Sequence, residues 1–106
     1  MITFDDFMKL EIRIGMVTAA EKVAGADKLI RLDLDMGGEK RQVVAGIAPY
    51  YAPEQVIGKQ VPILVNLEPR KLRGIESQGM ILAVDVGGEP TLLMPDKNVP
   101  PGSIVR

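Results

Sequence analysis

The sequence predicts an all-β fold on three observations. Apolar and polar residues alternate at period two in several short runs, paired glycines close two of those runs, and a single short stretch carries helix-starting chemistry. At 106 residues the chain is sized for one domain, residues 1–106.

The first strand is read from Leu10, Ile12, Ile14 and Met16, which alternate with Glu11, Arg13, Gly15 and Val17. The second is Ile30, Leu32, Leu34 and Met36, alternating with Arg31, Asp33 and Asp35 on a charged outer face. Gly37-Gly38 then signals a hairpin, because glycine accepts the positive φ of primed turns. A third strand follows through Arg41, Val43 and Ala45. Pro53-Glu54-Gln55-Val56 opens one helical turn that Gly58 ends. Val61–Val65 is the fourth strand and Met80–Val86 the fifth, the latter nearly continuous in apolar residues and so expected to be buried on both faces. Asp85-Val86-Gly87-Gly88-Glu89 echoes Asp35-Met36-Gly37-Gly38-Glu39 as repeated turn chemistry, since the flanks differ. In the tail, Leu92-Leu93-Met94 and Ile104-Val105 are separated by Pro95, Pro100 and Pro101, as in edge strands and extended connections. This order predicts a five-stranded OB-fold Greek-key barrel, with a short helix between strands 3 and 4 and a C-terminal extension. Such a barrel binds on the face of strands two and three, flanked by the loops after strands one and four.

Composition narrows the chemistry. With no Cys and no His, thiol nucleophiles, imidazole bases and the usual zinc sites are excluded, and a non-catalytic module without cofactor is expected. There is no apolar run long enough to cross a bilayer and no signal-peptide pattern, so no membrane partner is expected and the expected location is cytoplasmic. Net charge is −1, so any nucleic acid must be drawn by a local patch.

That patch is the segment Asn66-Leu67-Glu68-Pro69-Arg70-Lys71-Leu72-Arg73-Gly74-Ile75-Glu76-Ser77-Gln78-Gly79-Met80. Arg70, Lys71 and Arg73 are its cations, and a guanidinium donates two bonds to a phosphate. Ser77 and Gln78 add neutral groups of the kind that reach phosphate and sugar oxygens. A solvated loop would carry the same charges; its place on the binding face of the expected barrel favours function. Lys28 lies in the loop after the first strand, on the same side, with Lys22 a weaker candidate and Asp27 a turn-former. Arg41 is placed with Asp33 and Asp35 on the outer face, as their ion-pair partner and a further candidate contact; no metal is expected there. The only aromatics are Phe4, Phe7, Tyr50 and Tyr51, too few for stacking a single strand, with both Phe expected to pack the amino-terminal segment. The six Met are expected mainly as core fillers, with Met80 a possible exception beside the loop.

Ile12-Arg13-Ile14-Gly15, Ala26-Asp27-Lys28-Leu29, Gln42-Val43-Val44-Ala45-Gly46-Ile47, the whole segment Asn66–Met80, and Leu93-Met94-Pro95-Asp96 resemble the tRNA-binding domain family. That family includes stand-alone tRNA-binding proteins and the β subunit or carboxy-terminal domain of methionyl-tRNA synthetase. The resemblance implies an OB-fold, a homodimer aided by the terminal segments, and structure-directed tRNA binding that assists a synthetase catalytic subunit. It also implies Asn66, Lys71, Arg73, Ser77 and Met80 as binding residues. Many relatives carry His-Pro where this chain has Val23-Ala24-Gly25. A sister branch, a dimeric export-related chaperone of the same fold, shares the Pro95-Asp96 and Val99-Pro100 tail and is the alternative reading.

Overall fold

The computed structural model describes residues 1–106. Two short helices, α1 (Phe4–Met8) and α2 (Pro53–Val56), accompany ten strands: β1 (Ile12–Val23), β2 (Ala26–Asp35), β3 (Lys40–Ala45), β4 (Gln60–Leu64), β5 (Arg70–Leu72), β6 (Ile75–Ser77), β7 (Met80–Ile81), β8 (Ala83–Val86), β9 (Glu89–Leu92) and β10 (Ile104–Val105). All pairings are antiparallel. The main sheet runs β3-β2-β1-β4-β7, with β10 on β1, and β5-β6 and β8-β9 form separate ribbons.

β1 organises the molecule. Its first half pairs with β4, from Ile12 opposite Leu64 to Met16 opposite Gln60. Its second half pairs with β2, with a register shift between Val17 and Ala19. Such a bulge bends a strand and strengthens its twist, so one strand can serve two neighbours in turn. β10 occupies the edge of Ile12 and Arg13 that β4 leaves free. Gly102 N–H donates to Ile14 O at 2.6 Å, and Ile14 N–H to Ser103 O at 2.9 Å. The tail there lies so close to the β2–β3 turn that a Cβ on Gly102 would fall 2.3 Å from Met36 O.

The alternation read from the sequence is the alternation of burial. Ile30, Leu32, Leu34 and Met36 face the core with Val17, Val43, Ile47, Val56, Val61, Ile63, Val65 and Leu92, while Arg31, Asp33 and Asp35 are half-buried on the other face. The short helix lies where Pro53 predicts it, and both Gly-Gly turns form. Asp35 accepts from Gly37 N–H at 2.8 Å and Asp85 from Gly88 N–H at 2.7 Å, the repeated turn chemistry of the echo.

Several expectations are corrected. Met80–Val86 is two strands: bonding to β4 ends at Leu82, whose N–H donates to Pro62 O at 3.0 Å, and Ala83–Val86 pairs with β9 instead. Val84 and Val86 are therefore exposed, and the strand buried on both faces is β4. Of the methionines only Met36 is buried; Met1, Met8, Met80 and Met94 are exposed. Phe4 is 73% exposed and lies outside the core, while Phe7 is half-buried. Helix α1 is absent from the sequence expectation, although Thr3 and Asp6 carry its signal: each side chain accepts from the other's backbone N–H, at 3.1 and 3.2 Å. Nor is a five-stranded barrel closed by a continuous backbone ladder. Between β3 and the β6–β7 segment the bonds run largely through the side chains of Gln42, Ser77 and Gln78.

Candidate nucleic-acid interface

The segment from Asn66 to Met80 is a folded hairpin. Arg70, Lys71 and Leu72 pair with Ser77, Glu76 and Ile75 across a two-residue turn, Arg73-Gly74, with φ of 52° and 79°. Positive φ at both turn positions is the primed geometry whose twist matches the flanking strands. Leu72 and Ile75 pack on Val23, Ala26, Val44 and Leu29, seating this hairpin against the β1–β2 hairpin. Two hairpins far apart in sequence thereby become one surface; the expected loop after the first strand is itself strand on both sides of a tight turn, with Lys22 on β1 and Lys28 on β2.

The predicted residues divide into two groups. Four hold the segment in place. Asn66 accepts from Glu11 N–H at 2.8 Å and donates to Lys9 O at 2.7 Å. Ser77 is buried; its hydroxyl accepts from Val44 N–H and donates to Gly79 O, both at 3.0 Å. Gln78 accepts from Gln42 N–H at 3.0 Å through its side chain, and its own backbone N–H donates to Gln42 O at 2.8 Å. Arg41 donates through Nη1 to Val65 O at 2.7 Å and to Gln78 O at 3.0 Å, and through Nε to Glu39 at 3.3 Å. Each of these four expected contact residues thus also bonds within the fold, Arg41 through Nη1 and Nε.

Arg41 also departs from its expected face. It stands opposite the buried Leu34, and directly opposed residues share a face, so it points to the core side and not outward with Asp33 and Asp35. Asp33 pairs with Arg31, which also binds Glu21 at 2.9 Å. Those partners, Glu21 foremost, raise the Arg31 pKa further above its ordinary value. One guanidinium thus serves two carboxylates, and the outer face of β2 stays acidic. Asp27 makes no side-chain bond to a backbone N–H, and lies exposed at the start of β2 instead of forming a turn.

The second group is free. Arg70, Lys71, Arg73 and Lys28 are exposed and have no ion pair or side-chain hydrogen bond. Arg73 and Lys28 line one groove of about 390 Å³ with Gly25, Ala26, Asp27 and Leu29, across the seam of the two hairpins. Met80 is half-exposed beside Leu67 in a smaller hollow that Arg70 also lines. No aromatic side chain lines either hollow. Nowhere do three or more Asp or Glu converge as metal ligands would. The surface is therefore a set of cations on a rigid backing, suited to phosphate oxygens.

Residues 12–104 match the family described as "Putative tRNA binding domain". The chain is 53% identical over 106 residues to the methionine–tRNA ligase of Methanothrix thermoacetophila and 54% identical to that of Porphyromonas gingivalis, covering 100% and 99% of itself. It spans only 16% of the length of either relative. Among solved structures, a MetRS-related protein from Pyrococcus horikoshii superposes with a TM-score of 0.96 at 38% identity, covering 100% of this chain and 98% of that one. The chaperone CsaA of Bacillus anthracis superposes at 0.91 with 36% identity, covering 100% and 99%. With its hairpin, its free cations and a match along nearly its whole length, this chain belongs to the tRNA-binding domain family.

Proposed function

We propose that the chain is a non-catalytic, cytoplasmic tRNA-binding module that grips the phosphate backbone and helps an aminoacyl-tRNA synthetase, methionyl in specificity, to capture its tRNA. The observation that carries this reading is the pair of interlocked hairpins presenting Lys28, Arg70, Lys71 and Arg73 with no protein partner. Unpaired cations on a fixed frame lose little side-chain freedom elsewhere and can release counterions from a polyanion. The absence of an aromatic platform favours contact with a folded RNA's backbone over stacking on single-stranded bases. Docked to an enzyme, such a module works through effective concentration, so modest affinity suffices.

The scaffold is read as an OB-type barrel closed by side chains between β3 and β6. The active form is read as a homodimer. Phe4, Met8, Leu10, Ile104 and Val105 are all exposed, and the tail forms a largely apolar groove of about 430 Å³ around Leu93, Met94 and Ile104. A large exposed apolar patch is the mark of an association surface.

The test is tRNA binding across a salt series. Neutralising three to five phosphates predicts a slope of log K against log salt of about −2 to −5. Lys71→Ala and Arg73→Ala should each weaken binding to different tRNAs to a similar degree. A flat salt response would overturn the phosphate grip. A second reading, binding of unfolded polypeptide, is favoured by the likeness to the CsaA chaperone. It would require an unfolded protein to compete with tRNA, or to bind where tRNA does not.

A further inference from the structure

We infer that Arg41 is a positioning residue that fastens both ends of the RNA-binding segment, rather than a residue that touches RNA; the inference rests on the tRNA-binding reading. Val65 and Gln78 bracket the segment: one follows β4 and the other precedes β7. A single guanidinium nitrogen, Arg41 Nη1, donates to the carbonyl oxygens of both, at 2.7 and 3.0 Å. Its side chain is only 26% exposed, and Nε is held by Glu39 at 3.3 Å. The inward-facing register opposite Leu34 carries the side chain to the rim of the core, where β3 meets the gap in the ladder.

Nothing else bridges these two points directly. The segment's remaining anchors grip one place each: Asn66 at its start, Leu72 and Ile75 at its middle, and Gln42, Ser77 and Gln78 at its end. Carbonyl oxygens at the ends of short strands need donors, and here no backbone N–H supplies one to either oxygen. Lysine is a poor substitute, since a compact ammonium on a flexible stem lacks the fixed fork of a guanidinium. The pair with Glu39 also fixes the guanidinium plane and reduces the charge available to an incoming phosphate.

The experiment compares Arg41→Lys and Arg41→Gln with Lys71→Ala by amide hydrogen exchange and by salt-dependent tRNA binding. In both Arg41 variants the amides of Gln42, Val44 and Gln78 should exchange at least about tenfold faster, because their acceptors lie on the released segment or face it. Core amides such as Leu32 and Ile63 should keep their protection. Binding should weaken about tenfold with the salt slope unchanged, whereas Lys71→Ala should lower that slope by about one. Three results would overturn the inference. One is a slope reduced by one in the Arg41 variants with normal exchange, which marks a direct phosphate contact. Another is full affinity and protection in Arg41→Lys. The third is loss of core protection in both variants, which makes Arg41 a residue of the fold as a whole. If the wild-type chain binds no tRNA, the functional reading fails while the exchange data still judge the fastening.

Discussion

Arg73 is the only residue other than glycine with a positive φ, at 52°. The left-handed region costs an L-residue about 1–3 kcal/mol, and such outliers persist where a side chain is wanted at that point. Asparagine is the common occupant of this turn position. Arg73→Asn should therefore raise thermal stability, by up to about 1 kcal/mol or roughly 4 °C in a domain of this size, and weaken tRNA binding at the same time. Parallel melting and binding measurements check it; a variant that gains stability and loses no affinity would remove Arg73 from the interface. The sequence makes the cations of this turn legible because Arg, Lys and Gly are informative by type. It does not show that Arg41 and Ser77 have partners in the fold while Arg73 and Lys71 have none. That distinction depends on which polar atoms the fold occupies, and the partners Val65, Gln78, Val44 and Gly79 are either distant in sequence or backbone groups.

Among the elements, β1 to β4 and α2 were readable because each carries a period or a proline that acts locally. The β5–β6 hairpin was not, since three-residue strands are too short for alternation to register. Helix α1 is five residues long and shows no apolar stripe, yet its capping box was there to be read as Thr3-x-x-Asp6. The Thr3 backbone N–H, then the side chains of Lys9 and Thr3, hold the Asp6 carboxyl below its ordinary value of 3.8. A depressed folded-state pKa means the cap contributes fully above pH 3.8 and is lost as pH falls through the lower folded value. The Thr3 amide resonance should accordingly titrate with a midpoint below 3.8, and Asp6→Asn should abolish that titration. A midpoint at or above the ordinary value would mean the cap is not formed in solution.

At the scale of the molecule one exposed apolar patch lies at the two chain ends, with Phe4, Met8 and Leu10 from one and Leu93, Met94, Ile104 and Val105 from the other. Dimerisation through this face predicts that Ile104→Asp, at a half-exposed site outside the core, shifts sedimentation from dimer to monomer while the monomer stays folded. A wild-type chain that sediments as a monomer at micromolar concentration would refute the dimer. If two copies do associate, their cationic hairpins would offer a doubled array to one large RNA, and Ile104→Asp would weaken tRNA binding through lost avidity.

The seating of β10 on β1 has a consequence for how the molecule is made. Ile12 pairs with Val105, so the edge of the first long strand is completed only by residues more than ninety positions later. Contacts of such wide sequence separation must wait for a large loop to close, which places folding in the slower class of small domains, milliseconds to seconds. During synthesis the Ile12–Arg13 edge stays unpaired until Ile104 and Val105 leave the ribosome, and for that interval a nascent chain carries an open strand edge of the kind that invites mispairing.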